Sequence, residues 1–186
     1  MPALIYRADA LAELERNREA ISDYESAVVK RPDDAQIWLK KGLVNEGLQR
    51  KADATKAYRK ALVLNPNLPL TYNNLAWMAV EDSTNLDQAL AWSIKATTLA
   101  PNVPQFHDTL DWIYRARNEL ELSRKSLEIA TKLAPPQADV HYHLRIVLQE
   151  QGKKKEAEVA FKQALRIDEN FLHVSETRKR LGELSR

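Results

Sequence analysis

The stretch DVHYH places Asp139, His141 and His143 within five residues, side chains able to ligate a metal or move a proton. Helical geometry argues against a shared ion, because residues two apart diverge by about 200° around the axis. His107 and Asp111 are four apart and share a helix face, so they read as an acid–base pair or, more plainly, as a histidine oriented by packing. Lys153, Lys154 and Lys155 would suit a phosphate or an acidic polymer. They open a helix, however, where the macrodipole disfavours cations, and read as a solvated turn. The chain has no cysteine and none of the G-x-x-x-x-G-K-[ST], G-x-G-x-x-G or H-E-x-x-H patterns, which removes thiolate chemistry and most nucleotide and cofactor classes. The expectation is a non-enzymatic protein with no catalytic residues, no metal and no cofactor. What remains is the four tryptophans, whose large amphipathic rings bury much area at little rotamer cost.

Such rings need a scaffold, and composition says which kind. With 186 residues, 44% of them apolar and 29% charged, the chain can bury a core and lies outside the disordered class. Four glycines and eight prolines, against abundant Ala, Leu, Glu, Lys and Arg, favour helix over sheet. A net charge of +2 is too small to point to nucleic acid or an anionic membrane, and neither is expected as a partner. Residues 1–34 hold five basic and eight acidic groups, a balance of −3, and residues 35–68 hold seven and two, a balance of +5. Solvated helix faces account for such blocks. The start, MPALIYRADALAEL, has no basic region followed by an apolar one, and no apolar run is long enough to span a membrane. A soluble protein follows, cytoplasmic if the sequence is whole. The first unit described below begins at Met1 with no polar cap before it, which favours an excerpt of something longer.

The scaffold shows itself as an internal repeat. AYRKALVLNPN, from Ala57 to Asn67, aligns with DYESAVVKRPD 34 residues earlier, so that Tyr24 matches Tyr58, Ala27 matches Ala61 and Pro32 matches Pro66. Units start at Met1, Ala35, Pro69, Pro104 and Ala138; four are 34 residues long and the third has one more. Position 4 is large, as Leu4, Trp38, Tyr72, His107 and His141, and position 8 is small in the first three units, as Ala8, Gly42 and Ala76. Later in the unit Ala20, Ala54, Ala89 and Ala157 recur, then Tyr24, Tyr58, Leu127 and Phe161, then Ala27, Ala61, Ala96, Ala130 and Ala164. Small residues at facing positions let two helix backbones approach closely, and large ones fill the space beside them. Pro32, Pro66, Pro101 and Pro135 end the second helix, because proline cannot donate the next backbone hydrogen bond.

The pattern W-x2-L-G-x2-Y, A-x3-F and P over 34 residues marks the tetratricopeptide repeats, and WLKKG with ATKAYRKALVLNP in the second unit resembles it closely. The resemblance covers residues 1–171 and implies an all-α fold. That fold is a right-handed superhelical solenoid of five helix-turn-helix repeats (1–34, 35–68, 69–103, 104–137 and 138–171) with a solvating, capping helix over 172–186. It also implies a protein–protein interaction scaffold whose concave groove, lined by the first helix of each unit, holds a peptide or helix of a partner. Carried over by position, the groove involves Leu39, Asn73, Asp108 and Tyr142 at position 5, and Leu43, Trp77, Trp112 and Ile146 at position 9. Arg115 and Gln149 join them at position 12. Members that clamp a chaperone's C-terminal carboxylate carry Lys and Asn, then Asn, then Lys and Arg in successive first helices. No such set is present, so an apolar or aromatic segment is the expected partner. A narrower resemblance is carried by YNNLAWMAVEDSTNLDQALAWSIKATTLAPN and HDTLDWIYRARNELELSRKSLEIATKLAP. These look like C-terminal repeats of bacterial tetratricopeptide proteins that serve exopolysaccharide synthesis and export. That resemblance implies a periplasmic location for an excerpt, and a polysaccharide as the alternative partner.

Some positions depart from the family: Asp111 and Arg145 at position 8, Ser123 at position 20, and Glu169 in place of the last proline. The two charges read as side chains snorkelling to the edge or as an ion pair between neighbouring units. In the third unit Asn85 is placed to cap the second helix, with Asp87 in the first turn and Gln88 at capping-box spacing. The register itself is testable at Ala61, which faces the partner helix in the best-matched unit. Ala61→Leu should overpack that pair and cost about 1–3 kcal/mol in urea denaturation; a neutral substitution would mean the register is misassigned.

Overall fold

The computed structural model describes residues 2–81, 85–171 and 174–175, and among these it contains ten α-helices and no strand. They are α1 (Pro2–Glu13), α2 (Asn17–Lys30), α3 (Ala35–Gly47), α4 (Lys51–Leu64) and α5 (Pro69–Glu81), followed by α6 (Leu86–Leu99), α7 (Pro104–Ala116), α8 (Leu120–Leu133), α9 (Ala138–Glu150) and α10 (Lys154–Ile167). The helix expected over 172–186 lies outside the described residues apart from Val174 and Ser175.

The helices fall into two compact units, residues 1–78 and 79–186, with the boundary inside α5. In the first unit α1 packs on α2, α2 on α3 and α3 on α4. Its core joins Ile21, Tyr24 and Val28 of α2 to Ile37 and Val44 of α3, over fully buried Ala8, Ala20 and Ala27. In the second unit α6 packs on α7, and α8 lies between α7 and α9, which in turn pairs with α10. Leu127 and Ala130 of α8 meet Val140 and Val147 of α9, and Phe161 and Ala164 of α10 pack with Tyr142 and Phe171. The recurring alanines Ala54, Ala61, Ala89 and Ala96 are likewise fully buried, as close helix approach requires.

Local signals explain where helices stop. In four units the turn after the first helix places position 15 in the left-handed region: Glu15 (φ 58°), Gln49 (φ 59°), Asn118 (φ 60°) and Gly152 (φ 75°). The next N–H then reaches back five residues to a carbonyl, Arg16 to Leu11, Arg50 to Asn45, Glu119 to Tyr114 and Lys153 to Leu148, at 2.8–2.9 Å. This closes the helix as a Schellman motif does, and only Gly152 adopts it without steric cost. Asn85 caps α6 as its sequence context predicts: its side chain accepts from the Gln88 N–H at 3.1 Å.

Position 4 closes the turn between units. Trp38 Nε1 donates to the Pro32 carbonyl at 2.7 Å, and His107 Nε2 and His141 Nε2 meet the Pro101 and Pro135 carbonyls at 2.8 and 3.1 Å. A carbonyl only accepts, so both histidines hold a proton on Nε2. His107 is thus a structural histidine oriented by its packing, bonded to a backbone carbonyl instead of Asp111.

Gly42 sits where position 8 of α3 meets α4. A Cβ there would lie 2.3 Å from Tyr58 Cε1, and that ring is fully buried. Gly42→Ala should therefore cost about 1–3 kcal/mol, and less in a Tyr58→Leu background. Urea denaturation of the two pairs of variants measures the difference.

Candidate interaction surface

The face formed by positions 5, 9 and 12 of the first helices is not a bare groove wall; second helices buttress it from behind. In the first unit Asp9 Oδ1 accepts from the Tyr24 hydroxyl at 2.5 Å, and its other oxygen accepts from Lys40 Nζ at 2.6 Å. Glu46 Oε2 accepts from the Tyr58 hydroxyl at 2.5 Å, and Asn74 Nδ2 donates to that same hydroxyl oxygen at 3.0 Å. Burial, then the adjoining carboxylates, push both tyrosine hydroxyls above their ordinary range, so they remain donors. Among the residues predicted to line this face, Leu43 is 39% exposed and Asn73 and Trp77 are half-buried. Leu39 is buried and supports the face from inside.

The second unit gathers the remaining predicted residues on α7 and α9. His143 Nδ1 lies 2.7 Å from Asp108 Oδ1, joining the two first helices. Half-buried Trp112 meets the His143 ring edge-on at 5.7 Å, and the Arg115 guanidinium lies 5.1 Å above the Trp112 ring. Arg115 is held there by Glu150 at 2.7 Å. Ile146 is half-buried and packs towards the core, Gln149 is exposed, and Tyr142 is buried against Phe171 at 5.9 Å. Burial alone would lower the pKa of His143. The hydrogen bond to Asp108 and the nearby carboxylates of Asp108, Asp111 and Asp139 more than offset it, and the imidazole sits above its ordinary value. Beside this cluster a cleft of about 550 Å³ is lined by Asp108, Asp139, Asp168, Asn170 and Phe171.

Two sequence expectations are corrected here. Neither Asp111 nor Arg145 snorkels, since they are 0% and 3% exposed, and the cations facing Asp111 are Arg115 and His143 in place of the anticipated Arg145. Asp111 Oδ1 accepts from Ser123 Oγ at 2.5 Å, while its Oδ2 has no hydrogen-bond partner. The Arg145 guanidinium lies 3.7 Å over the Phe161 ring. The His141–His143 pair diverges as helical geometry requires: one ring turns to a backbone carbonyl and the other to Asp108. Among the described residues no group of three His, Asp or Glu side chains could hold a metal ion, and no helix is long and apolar enough to cross a membrane.

Burial raises Asp111 from 3.8 to about 7, the Ser123 hydrogen bond only partly opposing it, with Asp108, Arg115 and His143 facing it as charged neighbours. The folded state therefore binds this proton more tightly than the unfolded chain, and stability falls as pH rises from about 4 to about 7. His143, also raised, contributes stability that is present below 6.5 and lost as pH climbs through its folded value. Restoring the small pair with Asp111→Ala and Ser123→Ala together should remove the first contribution. The double variant should gain stability over the parent progressively between pH 4 and 7, by up to about 4 kcal/mol. Melting curves across that range measure it; a constant difference would mean that Asp111 is not buried as a titrating acid.

The comparisons agree with this architecture. Tetratricopeptide repeat profiles match residues 7–69 and 138–171. No curated protein sequence matches the chain. Among solved structures, MamA residues 41 to the end from Desulfovibrio magneticus RS-1 superposes with a TM-score of 0.82 at 17% identity, covering 90% of this chain and 94% of that one. YrrB, described as a tetratricopeptide protein with an unusual peptide-binding site, gives 0.77 at 17% identity over 95% and 90% of the two chains. A thermophilic tetratricopeptide protein of Thermus thermophilus, TTC0263, gives 0.71 at 18% identity over 99% and 98%. With a 34-residue register, paired helices meeting at buried alanines and family profiles at both ends, the chain belongs to the tetratricopeptide repeat family.

Proposed function

We propose that this protein is an interaction scaffold that holds a segment of a partner protein against the first-helix face, with Trp112 as the principal contact in residues 79–186. The observation that carries the reading is the state of that ring. Trp112 is half-buried, fixed at its edge by His143 and covered by an arginine that Glu150 holds in place. A ring ordered before binding loses little entropy on contact, which is how aromatic anchors come to dominate interfaces. Ile146 supplies an apolar neighbour and Gln149 a polar rim, so an apolar or aromatic side chain flanked by hydrogen-bonding groups fits this face best. In residues 1–78 Leu43 and Trp77 occupy the corresponding position, with Asn73 beside them. Leu39 and Tyr142, both buried, shape the wall without touching a ligand. The peptide-binding site described for the structurally similar YrrB supports the class of partner.

Peptides selected from a random display library against the whole chain test this. A selected peptide should bind Trp112→Ala at least about tenfold more weakly, and Val159→Ala, on an exposed position of α10, as well as the parent. Melting temperatures belong beside the affinities. If the loss in Trp112→Ala follows only its unfolded fraction, the ring is a packing residue and the reading fails.

A further inference from the structure

The second repeat is polar where the repeats after it are apolar or aromatic. Position 7 is Leu75, Leu110 and Leu144 in α5, α7 and α9, and position 11 is Ala79, Tyr114 and Leu148, but α3 carries Lys41 and Asn45 there. With Trp38 at position 4 they form one stripe of α3, at spacings of three and four residues, turned away from positions 5, 9 and 12. The stripe floors a cavity of about 160 Å³ enclosed by α2, α3 and α4, with Glu25 of α2 and Asp53 and Lys56 of α4 at its edge. All of it lies within residues 1–78.

The floor of this cavity offers hydrogen-bond donors. Asn45 is 2% exposed, and its amide uses one of two hydrogens on the Lys41 carbonyl at 2.9 Å. The Lys41 side chain is 19% exposed, with its ammonium 5.4 Å above the Trp38 ring and 3.9 Å from Glu25, beyond hydrogen-bond reach. Burying an amide and an ammonium where leucines stand in other repeats is costly unless their donors find acceptors, and the cavity is where acceptors can enter. Exposed Glu25 and Asp53 set two carboxylates at the mouth against the cations of Lys41 and Lys56. An anion alone meets the carboxylates at the rim, and a cation alone meets the lysine below. The geometry points to a binding site for a small zwitterion, an α-amino acid, with its carboxylate on Lys41 and the Asn45 amide and its ammonium at Glu25 and Asp53. The cavity equals the liquid volume of roughly five waters, enough for alanine or serine. This site is independent of the reading of Trp112.

Titration of the isotope-labelled whole chain with alanine, acetate and methylammonium, at constant ionic strength and followed by nuclear magnetic resonance, tests this. Alanine should shift the Trp38 indole signal saturably with a millimolar Kd, and acetate and methylammonium should each bind at least about tenfold more weakly. Lys41→Leu combined with Asn45→Leu restores the residues found at positions 7 and 11 of α9, and should abolish the saturable shift without lowering the melting temperature. Glu25→Gln, at an exposed position, should weaken alanine binding several-fold and leave acetate binding no weaker than in the parent. Val63→Ser, at an exposed position of α4 outside the cavity, should change neither. The proposal is overturned by shifts that do not saturate, by undiminished alanine binding in the double leucine variant, by acetate binding as tightly as alanine, or by a Glu25→Gln chain that holds alanine as well as the parent does.

Discussion

The structure depends on how closely two helix backbones approach at position 8. Where that position is Gly42, the Tyr58 ring lies so near that even a methyl group would overlap it, and the ring fills the pair. Where it is Ala8, the alanines at 20 and 27 complete a fully buried contact. Added bulk at position 8 is answered by chemistry on the facing helix. Asp111 is opposed by Ser123 instead of alanine, and the hydroxyl donates to the carboxylate. Arg145 is opposed by the face of Phe161, which takes the flat guanidinium as it would another ring. One departure is thus matched by a second, Ser123 opposite Asp111, and the other is taken up by an aromatic residue that the family pattern already supplies. The acid still carries the desolvation cost that its raised pKa expresses.

Once helix pairs are set at this distance, polar contacts decide how each pair meets the next. Position 4 ties the inter-unit turn through the proline carbonyl, the same device from Trp38, His107 and His141. In α3, α5 and α9 position 6 reaches back to the preceding pair with a different group: Lys40 to a carboxylate, Asn74 to a phenol, His143 to Asp108; in α7 Thr109 bonds the Gln105 carbonyl of its own helix instead. Hydrophobic stacking alone would tolerate a shifted register. These contacts do not, because each needs a particular acceptor at a particular place, and buried donors left without one are costly.

What can be read from the sequence follows from which of these features are periodic or local. The 34-residue register, the alanine contacts and the stop after each second helix repeat often enough to be seen in one chain, and the Asn85 cap is encoded within four residues. The left-handed turn at position 15 is hard to see there because Glu15 and Gln49 are not residues that announce it; only Asn118 and Gly152 are. The bridging role of His143 is hidden because its partner lies 35 residues upstream, beyond any local pattern. Asp9 and Glu46 likewise look like ordinary surface acids, although tyrosine hydroxyls of the following helices hold them. Position 5 is expected on the groove, yet Leu39 and Tyr142 are buried there while Asp108 remains half-exposed. A helix packed on two sides leaves only a narrow strip open, and position 5 lies at the edge of it.

That narrowness makes the candidate binding face and the stacking contact of α7 and α9 share residues. Arg115 covers the ring proposed as the anchor and also bridges to Glu150 on the neighbouring first helix; His143 touches the same ring and bridges to Asp108. A ligand that draws Arg115 towards itself must compete with a charge-assisted hydrogen bond and in doing so loosens α7 from α9. A ligand that stacks on Trp112 and leaves the arginine in place keeps both links. By reciprocity of coupled equilibria, whatever strengthens the α7–α9 links disfavours the first kind of ligand by the same factor that the ligand weakens them. Protonation of His143 acts on one of those links directly, because the charged imidazole is the form that Asp108 stabilises. For the proposed interaction, selectivity would therefore be set by which contacts between the two helices a ligand spares, as well as by the shape it presents to the ring.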